Sequence, residues 1–139
     1  MAGVEAHDAI AVVGIGCRFP GASSPEEFWQ LLSNGDTALS RVPPERWDAD
    51  ELLANAPGMP GKISSTEGGF IQDVELFDAE AFGIAPREAA LMDPQQRLLL
   101  EVSLEALHDG AMEPSRLRGT PAGVFVGICG SDYAGPVSY

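Results

Sequence analysis

The sequence predicts an α/β fold with an incomplete sheet, on three observations. Two short apolar runs end in glycine: Ala9-Ile10-Ala11-Val12-Val13-Gly14 and Ala122-Gly123-Val124-Phe125-Val126-Gly127. Both read as strands buried on both faces. Two other stretches carry helix starts built from a cap residue followed by proline. The resulting order is strand, helix, long excursion, helix, strand, which fits a sheet with a helical crossover. Two strands covered on both faces need neighbours that no other run clearly supplies, so the chain reads as a piece of a larger sheet.

The first strand leads into a loop, Gly14-Ile15-Gly16-Cys17-Arg18-Phe19-Pro20-Gly21. Ser24 then serves as an N-cap, Pro25 takes the first helical position, and Glu27 closes a capping box. Phe28, Leu31 and Leu32 fall on one face of that helix, and Asn34-Gly35 ends it with a left-handed cap. From Thr37 to about Gly69 the turn signals Pro43-Pro44, Pro57-Gly58 and Pro60-Gly61 predict irregular structure. Loops of this length are usually functional or interfacial. Gly68-Gly69-Phe70-Ile71 returns to extended structure. Phe77-Asp78 and Phe82-Gly83-Ile84 bracket a short turn, and Pro86 to Leu91 begins another.

The best-defined start is Met92-Asp93-Pro94-Gln95-Gln96-Arg97-Leu98-Leu99-Leu100-Glu101. Asp93 is the cap, Pro94 the first helical residue, and Gln96 can reach back to the cap. Three consecutive leucines predict burial on more than one side. The helix is expected to reach about Leu107, with Asp109-Gly110 ending it.

Composition narrows the function classes. The 139 residues suit one domain, and 45% hydrophobic content is globular. A formal net charge of -13 argues against nucleic-acid partners and against an anionic membrane surface. Cys17 and Cys129 are too few for a disulfide scaffold or a zinc site, which points to a reducing, cytoplasmic setting. Met1 to Asp8 lacks a signal-peptide pattern and reads as a leader (residues 1–8), and no apolar run approaches membrane-spanning length.

Few residues invite catalysis. Gly14-Ile15-Gly16 after a strand suggests a dinucleotide loop, but Phe19 stands where the third glycine belongs and no helix opens at once. The plainer reading is a tight turn by which the strand leaves the sheet. Cys17 beside Arg18, and Cys129 before Gly130-Ser131, are more simply inert thiols than nucleophiles. His7 lies in the leader, and His108 suits a helix C-terminus. Asp48, Asp50 and Glu51 read as a solvated face. Arg97 and Glu101 are spaced to pair along their helix, and Arg87, among apolar residues, is the candidate for a buried ion pair.

These blocks, in this order, resemble the amino-terminal part of a β-ketoacyl synthase of the kind found in modular type I polyketide synthases. The matching text is Ile10 to Gly21, Phe28-Trp29-Gln30-Leu31-Leu32, Pro44-Glu45-Arg46-Trp47-Asp48 and Gly68-Gly69-Phe70-Ile71. It continues with Phe77-Asp78-Ala79, Phe82 to Ala89, Met92 to Glu101, Leu117-Arg118-Gly119 and Gly123 to Gly127. One departure is Leu104, where the family usually carries an aromatic.

The resemblance implies the amino-terminal portion of a thiolase-like layered fold, with residues 9–139 a partial ketosynthase domain and the full domain a homodimer. It implies decarboxylative Claisen condensation of an acyl chain with a malonyl-type extender. The substrates would ride on the phosphopantetheine of acyl carrier protein, with acyltransferase domains as further partners. It also implies that the cysteine nucleophile and both histidines lie beyond Tyr139. On that reading the chain holds no catalytic, cofactor-binding or metal-binding residue and is inactive alone. The alternative is a non-catalytic interaction piece that complements a separately encoded remainder of the synthase, with unpaired strand edges to recruit it.

Overall fold

The computed structural model describes residues 9–130 and divides the chain into two compact units, one of residues 17–74 and one of residues 1–16 with 75–139. The expected leader, with His7, and Ser131 to Tyr139 lie outside the described residues.

In the 17–74 unit, helix α1 spans Pro25–Asn34. Ser24 Oγ accepts from the Glu27 amide at 3.2 Å. The Glu27 carboxylate returns to the Ser23 amide at 2.7 Å, one residue before the cap, so the box closes one position early. Gly35 stops the helix at φ 69°, as its left-handed role requires. Phe28 stacks on Phe19 with ring centroids 4.2 Å apart, while Leu32 and Trp29 are exposed.

The stretch expected to be irregular holds the sheet. Strand β1, Leu39–Arg41, pairs antiparallel with β2, Glu67–Gly69, with Leu39 opposite Gly69 and Arg41 opposite Glu67. The pairing closes a long loop, and proline and glycine turn signals between the strands hide it from a local reading. Helix α2, Ala49–Leu52, is capped by Asp48, whose Oδ1 accepts from Asp50 and Glu51 amides at 3.1 and 3.0 Å. Thus Asp48 is not simply solvated, and Asp50 forms an ion pair with Arg41. Trp47 meets Phe70 edge-on at 6.2 Å. Ala22, Val42 and Ala49 are the buried apolar residues of this unit.

In the other unit, Phe77 and Phe82 stack at 5.2 Å across the predicted turn, and α3 spans Pro86–Ala89. Helix α4 spans Pro94–Asp109, two residues past the expected end, with Asp93 accepting from the Gln95 amide at 2.9 Å. Helix α5 spans Pro114–Leu117.

Two expectations fail here. Residues 9–14 and 122–127 form no strand, because no neighbour among the described residues offers them a ladder. Far from being covered on both faces, Ile10 is 95% exposed and Phe125 97%. Leu98, Leu99 and Leu100 are half-buried rather than deeply buried, for the same want of covering layers.

Candidate functional site

The most organised surface lies along α4. A Cβ added to Gly14 would collide with the Ala106 carbonyl oxygen, and one added to Gly16 would collide with that of Val102. These glycines therefore let the backbone lie directly against the helix. They are neither a tight turn nor a phosphate loop, since the space a pyrophosphate would need is filled by α4. Ile15, between them, donates its amide to Asp109 Oδ2 at 2.9 Å. At the far end, a Cβ on Gly110 would come within 2.8 Å of the Val13 carbonyl oxygen.

An open cleft of about 330 Å³ lies between this segment, α4 and the segment at 122–124. Val13, Ala106, Leu107, Met112 and Val124 are among its lining residues, and its wall is apolar. Such a surface can receive apolar side chains.

The one buried charge among the described residues is Arg97, 7% exposed. Its Nη1 donates to the Glu75 carbonyl at 3.1 Å, and its Nε has no partner. Arg97 thus ties the 75–77 segment to α4 in place of the expected pairing with Glu101. Arg87, expected to be buried, is exposed on α3. Helical spacing is the signal that locates Arg97: Leu100, Leu104 and Leu107 follow it at i+3, i+7 and i+10, on the inward face.

The nominated thiols and imidazole do not converge. Cys17 is half-buried and Cys129 exposed. Arg18, beside Cys17, sends Nη1 to the carbonyls of Cys17 and Ser23 at 3.0 and 2.7 Å. His108 is exposed at the last turn of α4. Among the described residues no three His, Cys, Asp or Glu side chains are grouped to hold a metal, and no helix is long and apolar enough to cross a membrane. In the 17–74 unit a second cleft of about 230 Å³ is lined by Arg41, Pro44, Trp47 and Asp50.

Residues 7–139 match the family model described as beta-ketoacyl synthase, N-terminal domain. The chain is 51% identical over 127 residues to a phenolphthiocerol/phthiocerol polyketide synthase protein of Mycobacterium tuberculosis, covering 91% of this chain and 7% of that protein. It is 51% identical over 130 residues to the spectinabilin polyketide synthase system protein NorC of Streptomyces orinoci, covering 92% and 6%. The chain therefore spans less than a tenth of the length of these curated relatives.

Among solved structures it resembles the oxazolomycin ketosynthase domain of Streptomyces albus JA3453. The TM-score is 0.66 and the identity 35%, covering 70% of this chain and 17% of that one. It also resembles the ketosynthase from module 6 of the bacillaene synthase of Bacillus subtilis 168, at TM-score 0.64 and 37% identity, covering 73% and 17%. The mixed helices and small sheet are thus part of a thiolase-like ketosynthase fold. With the family model spanning nearly the whole sequence, this chain belongs to the β-ketoacyl synthase family and corresponds to the amino-terminal part of a polyketide ketosynthase domain.

Proposed function

We propose that this chain supplies scaffold to a polyketide ketosynthase and leaves the chemistry to residues beyond Tyr139. The carrying observation is the family match over residues 7–139, joined to a described surface that presents an apolar cleft and no nucleophile–base pair. In the complete domain a cysteine thiolate attacks the incoming acyl thioester, and the carrier thiol leaves. The malonyl-type extender then loses carbon dioxide, and its carbanion attacks the acyl-enzyme carbonyl and expels the thiolate, with two histidines assisting. Acyl carrier protein bears both substrates on phosphopantetheine. Acyltransferase domains and a second ketosynthase copy complete the set of partners, in a reducing cytoplasm. Residues 1–8 act as a leader to the partial domain at 9–139.

Incubation of the 139-residue chain with an acyl thioester, followed by intact-mass measurement, tests this reading. No mass increase is expected. Stable acylation at Cys17 or Cys129 overturns it.

A further inference from the structure

Asn34 and Gly35 are adjacent at the exposed end of α1. The Gly35 amide donates to the Leu32 carbonyl at 3.2 Å, and the Asp36 amide donates to the Leu31 carbonyl at 3.1 Å. With Gly35 at φ 69°, this is a Schellman ending. The Asn34 carboxamide nitrogen donates to Asp36 Oδ2 at 3.2 Å. An asparagine side-chain carbonyl is an electrophile for the amide nitrogen of the next residue, and a glycine there has no Cβ to block the approach. A Cβ added at Gly35 would meet nothing within 4 Å, so the surroundings leave room as well. The other asparagine, Asn55, is followed by Ala56, whose Cβ stands in the way. Asp109 also precedes a glycine, but Gly110 is packed against the Val13 carbonyl.

We infer that Asn34 is a site of spontaneous deamidation, that the last turn of α1 gates the reaction, and that its products loosen that turn. In the closed ending the Gly35 amide is engaged with Leu32, so attack requires the turn to open locally. The freed Gly35 nitrogen then gives its proton to solvent and bonds to Asn34 Cγ. The bond from Cγ to Nδ2 breaks, and ammonia leaves with a proton drawn from water. Water opens the resulting cyclic imide. Hydrolysis at Cγ leaves aspartate, and hydrolysis at the backbone carbonyl leaves isoaspartate, with an extra methylene in the main chain. Overall, water is consumed and ammonia released.

Both products act against the ending. Either one places a carboxylate at the negative end of the α1 dipole. That carboxylate also stands beside Asp36, to which Asn34 had donated a hydrogen bond. Isoaspartate further lengthens the link between Leu31 and Ala38. Both of those side chains crowd Gly21, where an added Cβ would lie 3.2 Å from each. The extra methylene finds no room on that side, so the two Schellman bonds are what give way.

The test incubates the 139-residue chain at neutral pH, folded in buffer and unfolded in guanidinium chloride. Peptide mass mapping follows conversion of amide to acid, and enzymatic methyl labelling detects isoaspartate. Conversion at Asn34 is expected in both states, slower in the folded chain by about ten- to a hundredfold. Equal rates in the two states overturn the inference. So does faster conversion at Asn55, or an Asn34 that stays unconverted in either state.

Ser24→Ala removes the N-cap bond at the other end of α1. It should speed conversion in the folded chain by about threefold and leave the unfolded rate unchanged. If that variant does not fold, Glu27→Ala, which removes the bond to the Ser23 amide, gives the same reading. No acceleration overturns the gating by α1. Asn34→Asp reproduces one product directly. Amide exchange at Gly35 and Asp36 should quicken in it by about threefold or more, while Asn34→Gln stays near the parent. Unchanged exchange in Asn34→Asp overturns the loosening of the turn.

Discussion

The Ile15 amide donates to Asp109 Oδ2 at 2.9 Å, hooking the glycine segment over the last turn of α4. The flanking glycines are what make that reach possible, because Gly14 and Gly16 sit on the backbone carbonyls of Ala106 and Val102. Gly14→Ala should therefore cost about 1–3 kcal/mol as the segment is levered away. Asp109→Ala, which removes one exposed hydrogen bond, should cost only about 0.5 kcal/mol. Urea denaturation of the two variants should show this order. Equal midpoints for Gly14→Ala and the parent would exclude the close approach.

The two ends of the longer helices make opposite predictions. Gly35 closes α1 at φ 69° with open space around it, so Gly35→Ala pays only for the left-handed backbone, about 1 kcal/mol. At the end of α4 the left-handed residue is Ala111, at φ 52°, because Gly110 (φ -73°) serves the approach to Val13. The Met112 amide still reaches the Leu107 carbonyl at 2.8 Å, as a left-handed cap demands. Ala111→Gly should thus stabilise the chain by about 0.5–1 kcal/mol. Thermal unfolding of both variants checks the pair, and a lower midpoint for Ala111→Gly would contradict it.

Arg97 should tolerate an apolar replacement of its own size better than truncation. Its guanidinium is buried with one carbonyl partner and an unpartnered Nε, so the charge is poorly compensated. Arg97→Met removes that liability and keeps the volume, and its effect should stay within about 1 kcal/mol. Arg97→Ala also leaves a cavity and should cost about 2–3 kcal/mol. Chemical denaturation of the two variants distinguishes them, and a loss for methionine as large as that for alanine would show that the Glu75 contact dominates.

The two long helices, α1 and α4, are legible in the sequence because their signals are local. Ser24, Pro25 and Gly35, and likewise Asp93 and Pro94, act within one turn of themselves. The β1–β2 pairing is not legible, because Leu39 meets Gly69 across a long excursion and neither three-residue strand has a pattern of its own. The apolar runs at 9–14 and 122–127 are strand material without being strands. Composition sets what a segment can pair with, while pairing depends on a neighbour. The place of Arg97 emerges only when the face of α4 is traced, not from its i+4 partner. The candidate surface is hidden for the same reason: Gly14 and Gly16 look like a ligand loop, and only the carbonyls of Ala106 and Val102 reveal what they approach.

The exposed apolar segments should govern how the isolated chain behaves in solution. Ile10, Val12, Val124, Phe125 and Ile128 all face solvent, so the chain should bind a hydrophobic dye strongly. Its formal charge of -13 opposes self-association at low salt, and that repulsion is screened over about 10 Å at 0.1 M salt. Light scattering should therefore rise as salt is added at fixed protein concentration. Phe125→Asp should lower both dye fluorescence and scattering while shifting stability by no more than about 0.5 kcal/mol, because the side chain has no packing to lose. Dye binding that is weak in the parent, or unchanged in the variant, would show that these segments are covered in solution.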